Sequence, residues 1–371
     1  MARGELFLAL VCVAAAALAS GADAGGRKMV GVYELRKGDF SVKVTNFGAR
    51  VMSVVFPDSK GNLADVVLGL DTIADYVNDT SYFGPITGRV GQRISRGRFV
   101  LDGKVYHLER NDGENTIHGG GTAFSKSVIW TVKEYVGAGD SPYITLYYRS
   151  FDGEQGFPGN LDVYVTYRVS ASYSLGVHMN ATALDRATPV NLLQHTYWNL
   201  GGHGAGDVLG HELRLWASRY TPLDAEMLPS SSPSGRGLAR VAPVAGTPFD
   251  FRAPTPIGAR IRGVAGGRAA GYDANYVVDG EPGAMRPVAA ARDAASGREL
   301  ELWGNQPCVQ LYTGNWLNHT KGKGGKVYER YAGFCLETQG YPDAVNHPEF
   351  PSQTLRPGQV YRHDMVFKLS F

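Results

Sequence analysis

Alternation with a period of two is the feature that most narrows the fold of this chain. In Leu161-Asp162-Val163-Tyr164-Val165-Thr166-Tyr167-Arg168-Val169, bulky residues with apolar bodies occupy every other position. Phe40-Ser41-Val42-Lys43-Val44-Thr45 and Ile144-Thr145-Leu146-Tyr147-Tyr148-Arg149 repeat the pattern. Successive side chains of a strand point to opposite faces, so such runs predict strands with one face buried. Their Val, Ile, Thr and Tyr content suits a pleated surface. Asp102-Gly103, Asp112-Gly113, Asp152-Gly153 and Asp279-Gly280 predict tight turns between strands. With 48 Gly and 19 Pro in 371 residues, the chain has the turn chemistry that many short strands require. No long segment has a period of 3.6; Ile73 to Asn78 predicts a single short helical turn. The expectation is an all-β protein with long loops and no fixed repeat. Ser230–Gly235 and Arg262–Gly271 read as surface loops.

The first segment reads as an address. Arg3 precedes an unbroken apolar run from Leu6 to Ala19, shorter than the roughly 20 residues a membrane-spanning helix needs. Ala22-Asp23-Ala24 then offers a small-residue cleavage site. Residues 1–24 are therefore expected to be a secretory signal, with 25–371 one domain and the mature protein extracellular. Sequons at Asn78, Asn180 and Asn318 become meaningful on that path. Cys12 leaves with the signal. Cys308 and Cys335 either form one bridge or stay as two buried thiols, and the second is the expectation.

Charge and motif content exclude several function classes. A net charge of +2 gives no electrostatic argument for nucleic acid or an acidic membrane, and neither partner is expected. Lys321-Gly322-Lys323-Gly324-Gly325-Lys326 reads as a solvated basic loop, because no strand-to-helix switch follows it. There is no HExxH, no CxxC, no EF-hand loop, no Walker A or dinucleotide fingerprint and no Gly-x-Ser-x-Gly elbow. No metal and no cofactor are expected.

What remains is a set of polar residues in apolar or glycine-rich settings. Gly88-Arg89-Val90-Gly91-Gln92-Arg93-Ile94 puts two arginines four apart, suited to a carboxylate or a sugar hydroxyl, or simply to the surface. In Asn115-Thr116-Ile117-His118-Gly119-Gly120-Gly121 a histidine precedes glycines that let the backbone turn sharply around a ligand. In Asn191-Leu192-Leu193-Gln194-His195-Thr196-Tyr197-Trp198-Asn199-Leu200, a continuous strand would put His195, Tyr197 and Asn199 on one face. Imidazole titrates near neutrality, so His195 is either an acid–base group or a satisfied core residue. Asp273 lies in Gly271-Tyr272-Asp273-Ala274-Asn275-Tyr276, and Gln310 interrupts Val309-Gln310-Leu311-Tyr312. Glu337 stands out in Gly333-Phe334-Cys335-Leu336-Glu337-Thr338-Gln339, because a carboxylate in a buried strand is costly unless paired or used.

Taken in order, these segments resemble the aldose 1-epimerase (galactose mutarotase) family from about Met29 to Phe371. Gly246-Thr247-Pro248-Phe249-Asp250-Phe251-Arg252, Phe350-Pro351-Ser352 and Leu355-Arg356-Pro357-Gly358 add to the resemblance. It implies a large antiparallel β-sandwich, the galactose mutarotase-like supersandwich. It implies Glu337 as general base and His195 as general acid, with Gln92, Arg93, His118, Tyr197, Asp273 and Gln310 lining a pocket for a free monosaccharide. Gln92 stands where the family commonly has Asn, and the segment before Asp273 looks expanded. The protein is expected to act as a monomer. Trp198, Tyr197, Tyr312 and Trp316 are candidates to stack on the sugar, or to be core.

The implied chemistry suits these residue types. Interconverting anomers requires removal of the C1 hydroxyl proton, protonation of the ring oxygen, opening to the aldehyde, rotation about C1–C2 and closure. One acid and one base, able to exchange roles, meet that need. Arg93 and His118 are expected to donate to sugar hydroxyls and Asp273 to accept. Rival readings are a glycoside hydrolase using Glu337 and Asp273, a hexose-6-phosphate epimerase recruiting Arg89 and the arginines near 262, and a non-catalytic carbohydrate-binding protein.

Overall fold

A computed structural model describes residues 29–122, 124–230, 241–264 and 270–371. The expected signal segment, and parts of both expected loops, lie outside the described residues. Six strands carry the architecture: β1 (Leu161–Val169), β2 (Tyr197–Trp198), β3 (Asp273–Val277), β4 (Cys308–Tyr312), β5 (Phe334–Gln339) and β6 (Val360–Ser370). β1 and β6 belong to a nine-stranded antiparallel sheet, where both flank Ser174–Ala183. β2, β5, β4 and β3 are consecutive in a six-stranded antiparallel sheet.

The alternation in β1 does what the sequence predicts: Leu161, Val163, Val165, Tyr167 and Val169 are fully buried and the residues between them are more exposed. β4 and β5 differ, because every residue in them is buried. Their sheet is covered on both faces. Ala274, Tyr276, Val309, Leu311 and Leu336 turn inward and join Val163, Val165, Met179 and Phe367 of the larger sheet in one core. The rings of Trp198 and Phe367 meet across the two layers at 4.9 Å. Burial of each such side chain contributes about 1.5–3 kcal/mol. The result is the expected antiparallel β-sandwich, and the opposite face of the six-stranded sheet is left for polar residues.

Local signals behave as their chemistry dictates. Asp102 and Gly103, at φ of 50° and 76°, form the two-residue turn joining Arg98–Leu101 to Lys104–His107. Ile73–Val77 is a short helix whose capping box pairs Thr72 with Asp75. Cys308 and Cys335 are both free and buried; they sit on neighbouring strands, but Cys308 faces Gln339 and Cys335 faces Tyr312.

Two expectations need correction. The stretch Asn191–Leu200 is not one strand: Leu193–Gln194 pairs with Ile86–Thr87, while β2 pairs with β5. His195 falls at the break, outside both strands, where its N–H donates to Pro85 O at 3.0 Å and its carbonyl accepts from Gly84 N at 2.9 Å. The loop Lys321–Lys326 is not simply solvated. Lys323 is buried, with Nζ 2.6 Å from Asp65 Oδ2 and 3.0 Å from Met52 O, and Lys321 pairs with Asp75. Carboxylates neutralise those lysines, which removes the anion-binding alternative.

Candidate active site

The polar face of the six-stranded sheet floors a cavity of about 420 Å³, within the range of small-ligand pockets. Strand register builds the floor. Gln310 lies opposite Asn275 on one side and Glu337 on the other, and Tyr312 lies opposite Asp273 and Cys335. The period of two that sends Leu311 and Leu336 into the core sends Gln310 and Glu337 into the pocket. Gln92, Arg93, His118, His195, Tyr197, Asp273, Gln310 and Glu337 all line this one cavity.

Glu337 and His195 form its centre. Nε2 of His195 lies 3.4 Å from Oε1 of Glu337, with both side chains almost wholly buried. Burial raises the Glu337 pKa well above the ordinary carboxylate value; nearby Asp273 adds to the rise and Arg93 opposes it. Burial also lowers His195 to about 4. Both shifts favour a pair carrying one proton and no net charge. Nδ1 of His195 lies 3.6 Å from the Cys335 thiol, which burial keeps protonated. His195, Cys335 and Glu337 offer ligand atoms within 4.8 Å of one another. The imidazole presents one nitrogen to the thiol and the other to the carboxylate, so a single ion cannot engage all three as they stand.

Around this pair the remaining polar groups hold one another. Arg93 Nε donates to Asp112 Oδ2 at 2.7 Å, and its Nη1 lies 3.9 Å from Asp273 Oδ2. Gln310 donates from Nε2 to Asp273 Oδ1 at 2.6 Å, and its Oε1 accepts from Gln339 at 3.4 Å. Burial raises the Asp273 pKa against the pull of Arg93 and the Gln310 hydrogen bond. The Tyr197 hydroxyl donates to Ser81 O at 2.7 Å, so this residue contributes its ring as wall. His118 departs from expectation. Its Nδ1 donates to Gly91 O, and burial, with His195 and Arg93 nearby, lowers its pKa well below the usual imidazole value. The neutral ring therefore offers Nε2 as an acceptor and not as a donor. Gly119 fixes this loop: a Cβ there would lie 1.9 Å from Gly88 O, and its φ is +84°.

Some sequence candidates lie elsewhere. Arg89 is buried among Ser150, Pro158, Thr188 and Phe151, whose oxygens take up its guanidinium. It ties strands together and is not available to substrate. Asn199 turns away to hold Gly206 O and Ala332 O. Trp198 is inter-sheet core, whereas Trp316 lines the pocket and is 59% exposed. Several pocket residues escaped sequence reading, Tyr82, Lys126 and Asp112 among them. Tyr82, at φ 57°, packs its ring 4.6 Å from His118 and 6.0 Å from His195. Lys126 Nζ sits 4.8 Å from the centre of the Tyr82 ring. Asp112, whose Asp-Gly pair signals only a turn, also anchors Arg93. The available clue was the polar run Asn111–Asn115, but turn chemistry accounts for it equally well.

Comparison with known proteins agrees with this geometry. The profile of the aldose 1-epimerase family matches residues 31–368. Galactose mutarotase from Rattus norvegicus is 40% identical over 339 residues, covering 91% of this chain and 93% of its own. Aldose 1-epimerase from Escherichia coli K12 is 32% identical over 323 residues, covering 86% and 89%. Among solved structures, a GalM/aldose epimerase homologue from C. elegans superposes with a TM-score of 0.82 at 27% identity, covering 92% of this chain and 99% of that one. Sheet order, pocket and sequence lead to one assignment: the chain belongs to the aldose 1-epimerase family.

Proposed function

We propose that this isomerase interconverts the α and β anomers of free aldohexoses such as galactose and glucose, with Glu337 and His195 as its acid–base pair. The observation that carries the reading is the 3.4 Å contact of His195 Nε2 with Glu337 Oε1 on the floor of a monosaccharide-sized cavity. The reacting form is the ion pair, Glu337 carboxylate beside protonated His195, reached from the neutral form when the shared proton crosses the 3.4 Å contact. Glu337 takes the O1–H proton, the C1–O1 bond becomes a carbonyl, the C1–O5 bond breaks and O5 takes the proton from His195. The pair is now neutral, the form that burial favours. After rotation about C1–C2 the steps reverse, Glu337 returning a proton to O1 and His195 recovering one from O5. The pair carries one proton throughout, so no exchange with solvent is needed. Each acid–base group typically contributes about 10²–10⁴-fold.

The other groups bind and orient. Arg93 offers donors, Asp273 and neutral His118 offer acceptors, and Gln310 fixes the Asp273 carboxylate. Gln92 replaces Asn while keeping the amide, which tunes the pocket. Trp316 and Tyr82 supply aromatic surface for the sugar's C–H faces. The phosphosugar alternative loses support because Arg89 is fully used within the fold. Entry into the secretory path belongs to the same proposal, supported by the composition of residues 1–24 and by exposed Asn78, Asn180 and Asn318. Polarimetry of freshly dissolved α-D-galactose and α-D-glucose tests the function. Faster approach to anomeric equilibrium is expected with at least one sugar. A folded enzyme that accelerates neither refutes the proposal.

A further inference from the structure

A second cavity, of about 810 Å³, lies away from the acid–base pair, and the reaction leaves it without a task. One wall comes from the closing segment Pro351–Leu355, another from the chain beyond β5 at Gly340 and Tyr341, and a third from Pro282 and Pro307. Two arginines, Arg219 and Arg362, line it and no Asp or Glu does. Among the described residues neither guanidinium makes a hydrogen bond or an ion pair. The contrast with the catalytic pocket is chemical. There Arg93 is answered by Asp112 and Asp273, whereas here two cations face a cavity with no counter-charge. Both arginines are open to water and free to take a carboxylate or phosphate, which the planar fork binds through two hydrogen bonds.

Two amides of the wall, one on a buried residue and one on a half-buried residue, each have a polar atom without a partner. Asn191, 1% exposed, accepts from Gly340 N at 2.8 Å through Oδ1 and leaves Nδ2 without a partner. Gln353 donates from Nε2 to Tyr341 O at 2.7 Å and leaves Oε1 without one. The two amides flank the same glycine, since a Cβ on Gly340 would meet both. One orphan donates and the other accepts. A hydroxyl group does both; the two atoms lie just under the cavity surface, and a ligand meets them as the amides turn toward it.

We propose that this cavity is a second ligand site, separate from the catalytic pocket, for a hydroxylated organic anion: a sugar phosphate or a sugar acid. The anionic group lies against Arg219 and Arg362 and the hydroxylated end points toward Asn191 and Gln353. The probes are D-glucitol 6-phosphate and D-gluconate, which have no anomeric carbon to engage the acid–base pair, with neutral D-glucitol as control. Titration calorimetry is expected to show binding of both anions at one site per chain, weakened by added salt. It is expected to show no measurable binding of glucitol. Arg219→Gln and Arg362→Gln each lower affinity by at least about tenfold. Both residues are exposed and unpaired, so the variants keep mutarotation activity, which serves as the check on folding. Saturating galactose leaves anion binding unchanged. If only the phosphate binds, or only the acid, the site stands and its anion is identified. Absence of binding by both anions overturns the proposal, as does binding that survives both substitutions or is displaced by galactose.

Discussion

Replacing Asp79 with Asn removes a negative charge from a place that water does not reach. The side chains of Arg50 and Asp79 are 1% and 3% exposed, with Nη1 3.1 Å from Oδ2. Arg50 also donates to Phe83 O at 2.9 Å and Ser125 O at 2.5 Å, and lies 4.7 Å from the centre of the Tyr76 ring. None of these supplies a counter-charge. Burial already lowers the Arg50 pKa, and Asp79 opposes that fall. Asn at 79 retains an acceptor for Ser81 N, bound at 2.8 Å by Oδ1 in the parent, but loses the Oδ2 acceptor that takes Phe83 N at 3.0 Å, so one backbone hydrogen bond goes with the charge. Leaving a buried ion unpaired costs about 3–5 kcal/mol, a large share of the roughly 5–15 kcal/mol that holds a domain folded. Equilibrium urea unfolding followed by tryptophan fluorescence measures it. Arg50→Met/Asp79→Asn removes both charges and is expected to recover at least about 2 kcal/mol of the single variant's loss. The same loop carries Ser81 and Tyr82, so KM for the sugar rises in Asp79→Asn. A single-variant loss below about 1 kcal/mol, or a double variant no more stable than the single, refutes the reasoning.

The other predictions concern individual side chains. His363 is fully buried, with Nε2 2.7 Å from Thr338 Oγ1, and burial lowers its pKa to about 3. Below its ordinary value of about 6.5 the unfolded chain takes up a proton that the folded chain refuses. The stabilisation is therefore complete above that pH and is lost as pH falls toward the folded value. Between about pH 7 and about pH 5 the wild type should lose roughly 2 kcal/mol more than His363→Gln; equal slopes in denaturant titrations contradict this. Gly119→Ala should cost at least about 2 kcal/mol and most of the activity, since the added Cβ meets Gly88 O at 1.9 Å; a Tm and kcat/KM near wild type would show that the His118 loop does not need glycine. Gln92→Asn shortens an amide at the pocket wall and should change KM by less than about tenfold, one hydrogen bond's worth, with kcat kept; a collapse of kcat places Gln92 in the chemistry.

The site was legible in the sequence where chemistry broke a pattern. Glu337 and Gln310 interrupt strands that otherwise belong in a core, and the register puts them side by side. The all-β class was legible from alternation, as β1 shows. The layered arrangement rested on family resemblance, because it depends on pairings that local pattern does not encode: β6 joins Ser174–Ala183 on one side and Glu299–Gly304 on the other. Arg89 and Arg93 look alike in sequence, yet one knits the fold and the other lines the pocket. Only the surrounding oxygens distinguish them. The acceptor role of His118 was equally hidden, being set by the carbonyl of Gly91.

The central claim is that Glu337 is the base of an acid–base pair and not a structural carboxylate. Glu337→Gln keeps size and hydrogen bonding and removes the proton exchange. Polarimetry of this variant with α-D-galactose, beside the wild type at equal concentration, tests the claim most directly. A fall in kcat of at least about 10²-fold is expected, with Tm equal or higher because a costly buried acid has gone. Turnover within a few-fold of wild type would contradict it.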